Sequence, residues 1–270
     1  VERAEHVLEK RPIAATPVEG IERASRLVNQ LNGGGLNGGS LNAGGLSENN
    51  LTGNDDFIPN DPRYGEQWHF NNTGQLGGTP GADVSLPEAH ALQTGASDVV
   101  VQVVDSGIDL DHPDLQNNLW VNSCEQEDST DTCGNGYVDD VYGFNFADGN
   151  SNVDAGGNTH GIHVSGTIAA TNNNGVGVAS VAGGDGTPGS GVRIMTGRAF
   201  GDEATDGFAE AIVYGADNGA VITNHSWGYT QSGAVEQVVL DAIDYFTAEA
   251  GGPDAPLNGG LVVAAAGNNN

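Results

Sequence analysis

Two histidines three residues apart, His160 and His163 in "NTHGIHVSGTIAA" (158–170), open a run of small residues with a helical texture. Imidazole titrates near neutrality, ligates metals and takes protons from hydroxyls, so the pair admits three readings. A hydrolytic zinc pair sits at i, i+4 with a glutamate between, and "HGIH" has neither. Two packing or capping histidines without chemistry are the second reading. The third is one catalytic base with a neighbour, which needs an orienting carboxylate and a nucleophile from elsewhere in the chain. Asp105 is such a carboxylate: it ends the run "VVVQVV" (99–104) and precedes Ser106 and Gly107. Taken alone it reads more readily as an Asx-type turn residue at a strand end. Asn268, after "LVVAAAG" (261–267), is an amide donor in a comparable setting, and taken alone it reads as a turn asparagine.

The elements around these residues alternate in type. "VVVQVV" is nearly continuous and β-branched, as expected of a strand buried on both faces. "DGFAEAIVYGADNGA" (206–220) reads as a helix with Asp206 as N-cap and Gly219 as its stop. "AVITN" (220–224) is the next strand. "AVEQVVLDAIDYFTAEAGG" (234–252) is a helix with Val235, Val238, Val239, Ala242, Ile243 and Phe246 on one face, and 261–267 is a further strand. This alternation predicts an α/β fold, a mainly parallel sheet flanked by helices. In such a sheet reactive groups gather beyond the carboxyl ends of the strands, where Asp105 and Asn268 stand. His160 falls in the first turn of a helix whose Gly161, Ser165, Gly166, Ala169 and Ala170 permit close packing. His163, about 60° round that helix from His160, is expected to point inward.

Composition narrows the function classes. The 36 acidic against 8 basic residues give a net charge of −28, a field that repels nucleic acid and anionic membrane surfaces. No apolar stretch approaches the ~20 residues of a membrane span. Cys124 and Cys133 bracket "EQEDSTDT", a spacing that closes a small disulfide loop in an oxidising compartment; two thiols are the alternative, and zinc-site spacing is absent. The chain begins with Val and its only methionine is Met195, so it reads as part of a longer product. Residues 1–30 are mixed and charged, with a short helix expected around 18–31. Residues 31–55, with leucine at five-residue intervals among Gly and Asn, read as a flexible linker rather than a small solenoid. Residues 56–270 form the α/β domain.

The segments "VVVQVVDSGIDLDHPDL", "NTHGIHVSGTIAA", "ITNHSWG" and "LVVAAAGN", in this order, resemble the subtilisin-like serine proteases, the subtilases of peptidase family S8. "NDPRYGEQWHFNNTGQ" (60–75), "GNGYVDDVYGFNF" (134–146) and "GVRIMTGRAF" (191–200) fit the same pattern. The resemblance implies a three-layer subtilisin-like fold and a secreted, monomeric serine endopeptidase acting on protein or peptide substrates. Asp105 would then support His160, the general base and later acid, and Asn268 would donate to the oxyanion. His163 becomes a structural neighbour. Ser226, Trp227 and Gly228 match the segment that pairs with an extended substrate chain. Calcium is the implied cofactor: Asp114 in "DHPDL" and Asn173 in "TNNNG" match one site, and Asp139 and Asp140 in "CGNGYVDD" offer a second oxygen cluster, with solvated surface acids as the alternative. Asp109 and Asp111 read as plain surface charge. Residues 1–55 stand where a prosegment tail and spacer would stand, so the chain's own prosegment is a further expected partner.

Two departures stand out. Ile162 occupies a position where the family carries threonine. The nucleophilic serine, in a Gly-Thr-Ser-Met-Ala type motif, has no counterpart, since Ser106, Ser165 and Ser226 belong to other motifs. The expectation is therefore a protease fragment without its nucleophile, inactive alone. A catalytically dead, subtilase-like peptide-binding module is the alternative.

Overall fold

A computed structural model describes residues 10–12, 57–231, 233–253 and 255–268; the helix expected around 18–31 and the linker at 31–55 lie outside them. The strands are β1 (Lys10–Pro12), β2 (Val100–Asp105), β3 (Gly143–Asn145), β4 (Arg193–Arg198), β5 (Ile222–His225), β6 (Trp227–Tyr229) and β7 (Leu261–Ala264). The helices are α1 (Leu86–His90), α2 (His160–Ala169), α3 (Phe208–Asp217) and α4 (Gln237–Glu249). The chain divides into two compact units. The smaller includes residues 57–58 and 65–93, with α1, a buried Phe70 and Leu86, and an edge-on contact of Phe57 with His90 at 5.7 Å.

The larger unit holds a five-stranded sheet in the order β3-β4-β2-β5-β7, every pairing parallel. Parallel neighbours cannot be joined by tight turns, so long connections, several of them helical, cover both faces. Along β2 the side chains alternate between those faces. Val101 and Val103 pack with Ile108, Leu115, Val164 and Ile194 on the α2 side. Val104 packs with Met195, Phe208 and Phe246 on the side of α3 and α4. The result is three layers, as expected. Gln102, buried on the α3 side, keeps its polar groups bonded: Nε2 donates to Ala211 O at 2.5 Å and Oε1 accepts from Thr223 Oγ1 at 2.9 Å. Gly215 of α3 makes room for it, since a Cβ there would stand 2.3 Å from Oε1.

Several boundaries differ from expectation. The N-cap of α3 is Gly207 at φ 74°, while Asp206 instead accepts the Gly207 N–H at 2.7 Å. Gly219 at φ 90° does follow the helix end. Val235 precedes α4, and Val238, 62% exposed, faces solvent; only Val239, Ala242 and Phe246 of the expected stripe are buried. β5 starts two residues later than expected, and β7 stops at Ala264.

Candidate active site

From β4 to β5 the chain moves from one side of β2 to the other. In an open parallel sheet such a switch leaves a crevice at the carboxyl end of the central strand. Asp105 is the last residue of β2 and is buried. The pleat puts it on the face of Val101 and Val103, the one covered by α2. His160 is the first residue of α2, and its Nδ1 lies 2.8 Å from Asp105 Oδ1. The carboxylate is 1% exposed and the imidazole 19%, so the contact is shielded while the ring still meets solvent. A carboxylate there accepts from Nδ1–H and so fixes which ring nitrogen carries the proton.

Glycines allow two close approaches here, one between α2 and the end of β2 and one between Gly107 and residues 153–155. A Cβ on Gly161 would lie 2.3 Å from Gly107 O, and one on Gly107, at φ 105°, would lie 2.5 Å from Val153 O. Ile162 packs against the core on the α2 side. His163 is exposed rather than inward. The buried residues of α2 are Gly161, Val164, Ser165 and Ala169, and His163 falls outside that stripe, so the two histidines share no site.

After β5 the chain bends at Ser226, whose Oγ accepts from Asn224 Nδ2 at 2.9 Å, and continues as β6. Trp227 is buried, its ring 4.2 Å from that of Phe208. β6 carries a partner strand: β1 pairs with it antiparallel, Lys10 opposite Tyr229, Arg11 opposite Gly228 and Pro12 opposite Trp227. Asn268 is exposed, four residues beyond β7, in the stretch that leaves the carboxyl end of the sheet.

Sequence reasoning passed over the buried Glu125 and two further buried charges. Arg198 ends β4 in register with Asp105, 1% exposed, with Nη2 donating to Asp202 Oδ1 at 2.7 Å and Nη1 to Asn152 O at 3.3 Å. Asp61 is the other. Its Oδ2 accepts the Asn173 N–H at 2.7 Å, while Oδ1 is buried without a hydrogen-bond partner. Asn60 holds the same loop, its Oδ1 accepting from Gly175 N at 2.8 Å. Asp114, also buried, accepts from Asn174 Nδ2 at 2.8 Å and Val178 N at 2.9 Å, and a Cβ on Gly177 would stand 2.2 Å from its Oδ2. Burial pushes both carboxyls above their usual range, and Asp61 is raised further by the charge of Asp114. Thus Asp114 and Asn173 do fall in one cluster, with Asp61 as its third member. The "NDP" flanking of Asp61 was the only signal for it.

Asp139 and Asp140 serve different partners. Asp139 Oδ1 accepts the amides of Asp128 and Ser129, at 3.0 and 2.9 Å. Asp140 is fully buried and accepts from Asn122 Nδ2, Asn135 Nδ2 and the Tyr214 hydroxyl at 3.0, 2.9 and 2.7 Å. Glu125, Cys133 and Asp140 cluster within ligand reach of one another. However, Cys133 is bonded to Cys124, as expected from their spacing, and so offers no thiolate.

The profile of the subtilase family matches residues 96–270, and the chain belongs to that family. Subtilisin-like protease 1 of Plasmodium vivax is 52% identical over 83 residues, 30% of this chain and 13% of that protein. The halolysin-like extracellular serine protease Nep of Natrialba magadii is 34% identical over 177 residues, 63% of this chain and 26% of that protein. A solved protease from Pseudoalteromonas arctica superposes with a TM-score of 0.50 at 27% identity, covering 78% of this chain and 59% of that one. The shared segments thus make up 13% and 26% of the two curated relatives and 59% of the solved protease chain.

Proposed function

We propose that this chain carries the aspartate–histidine half of a subtilase-type serine endopeptidase. The observation that carries the reading is the Asp105–His160 contact at 2.8 Å, at the carboxyl end of β2. His160, pinned through Nδ1, takes the proton of a serine hydroxyl as that oxygen attacks the peptide carbonyl, then returns it to the leaving amine. Asp105 stabilises the imidazolium between these steps. Asn268 supplies an amide N–H to the oxyanion; in subtilisin, the member of this class for which the figure is known, loss of that donor costs on the order of 10²–10³ in turnover. The nucleophile belongs to polypeptide outside these 270 residues, so the chain alone binds and orients but does not cut.

Ser226, Trp227 and Gly228 take the substrate as an added strand. Support comes from the chain itself, since β1 lies antiparallel on β6. Residues 1–55 accordingly act as a prosegment and spacer whose own strand covers the substrate edge, and the protein is a zymogen. Secretion is supported by the Cys124–Cys133 disulfide and by the extracellular relative. No helix among the described residues is long and apolar enough to cross a membrane.

Calcium is the proposed structural cofactor. Asp61, Asp114, Asn60, Asn173 and Asn174 form a hard-oxygen donor set, and the partnerless buried Asp61 Oδ1 fits a cation there. Bound calcium would neutralise the two buried carboxylates and tie residues 60–61 to the loop 173–178. The alternative of a peptide-binding module without catalysis draws its support from the same β1–β6 pairing.

The test is fluorophosphonate labelling of the product of the reading frame continued past the codon for Asn270. Labelling that disappears on His160→Ala supports the protease. A full-length product that never labels, yet holds β1 on β6, overturns it in favour of the binding module.

A further inference from the structure

We infer that Ser106 is a positioning residue for the Asp105–His160 pair, holding both partners from one point. Its N–H donates to Asp105 Oδ1 at 2.7 Å, the same oxygen that meets His160 Nδ1. Its Oγ accepts the Gly161 N–H at 2.9 Å and donates to Asn158 O at 3.1 Å. Asn158 in turn accepts the His160 N–H on Oδ1 at 3.2 Å. The bonds close a ring that runs from the carboxylate through Ser106 to the start of α2, then back through the imidazole to the carboxylate.

Helix energetics explain why this hydroxyl matters. The first N–H groups of a helix have no partner within it and are commonly satisfied by an N-cap side chain. Thr159, the N-cap of α2, makes no side-chain capping bond. The Gly161 amide is satisfied instead from the end of β2, across a junction that Gly161, having no Cβ, keeps narrow. Ser106 is fully buried, so solvent cannot replace its hydroxyl. Removing that oxygen leaves the packing of Val164, Ser165 and Ala169 in place. What it releases is the backbone that carries the imidazole, relative to the carboxylate that orients it.

The inference rests on the proposed acid–base role of this pair, but its test reads geometry rather than hydrolysis, so it can fail while that role stands. The complete 270-residue chain, with ¹⁵N-labelled histidine, is compared with Ser106→Ala and Ser106→Thr. Two signals are followed: the low-field Nδ1–H resonance of His160 and the exchange rate of the Gly161 amide. In Ser106→Ala the ratio of paired to released imidazole falls about fivefold, the equivalent of one neutral hydrogen bond, and Gly161 exchanges faster by a similar factor. Ser106→Thr, which keeps the hydroxyl, restores both, and amides beyond Val164 keep their shifts throughout. A parent-like Nδ1–H signal and Gly161 exchange in the alanine variant overturns the assignment. Equal loss in alanine and threonine overturns it too, because shape rather than the hydroxyl would then be the cause. Should Ser106→Ala not fold, Ser106→Cys replaces it: a partial loss of both signals supports the assignment and parent-like signals refute it.

Discussion

Asp61→Asn separates the two things the buried acidic cluster can do. In the parent, burial raises the carboxyls of Asp61 and Asp114. Without a cation the folded state therefore holds their protons more tightly than the unfolded chain does. The stability this protonation carries is complete below the ordinary aspartate range and is lost as pH rises through the raised folded values. In chelator at neutral pH the cluster is accordingly a burden, and Asp61→Asn, which removes one buried charge, is at least as stable as the parent. Calcium reverses the order. At free calcium one hundred times the dissociation constant, binding adds about 2.7 kcal/mol to the parent, or about 5–11 °C in Tm for a domain of this size. A tenfold weaker site in the variant removes about 1.4 kcal/mol of that gain, roughly half the shift. Scanning calorimetry of both proteins at pH 7, in chelator and in calcium, reads all four values. An equal calcium shift in parent and variant, or none in either, refutes the reasoning.

Other perturbations have equally definite outcomes. Gly161→Ala drives a methyl to 2.3 Å from Gly107 O; urea unfolding should show a loss of about 2–3 kcal/mol from overpacking a backbone junction. Burial holds the His225 imidazole down at about 4, with Nε2 against the Thr223 hydroxyl at 3.1 Å. Its contribution is complete above about 6.5, the unfolded value, and is lost as pH falls towards the folded one, so stability in saturating calcium drops by about 2 kcal/mol between pH 7 and pH 5. Urea titrations at the two pH values check this, and His225→Leu flattens that component. Reduction of Cys124–Cys133, which closes a loop with a sequence separation of 9, lowers stability by about 2.5–3 kcal/mol, measured as a Tm shift on adding dithiothreitol.

Local chemistry was the legible part of this chain. The β-branched run at 99–104 predicted a two-sided strand, and the abrupt change to Asp105-Ser106-Gly107 marked its carboxyl end. The small residues after His160 announced a helix able to press against it. Each signal is local, and together they located the two elements; pairing Asp105 with His160 came only from the family resemblance of the motifs in order. The cluster at Asp114 was only half legible, because Asp61 reaches it from a segment that matches the family pattern but lies more than 50 residues away in sequence, so its contact with the 173–178 loop is a tertiary fact. His163 was misjudged because the angle between helical positions says how far apart two side chains lie, not which of them the core will take. That choice follows from where β2 lies beneath α2. Asp206 failed as an N-cap for a related reason: the left-handed Gly207 moved the helix start on by one residue.

The antiparallel contact of β1 with β6 joins two segments of one polypeptide. Its strength is therefore set by an effective concentration that dilution does not alter. A peptide arriving from solution competes with that fixed value, on the order of millimolar for a short tether and lower for a long one. Cutting a single bond between the two strands turns the same contact into an encounter between separate molecules, which weakens with every dilution. On the proposed reading of β6 as a substrate edge, access to it is governed by chain continuity: after one cut between the strands, dilution opens it, with no change in any residue of β6.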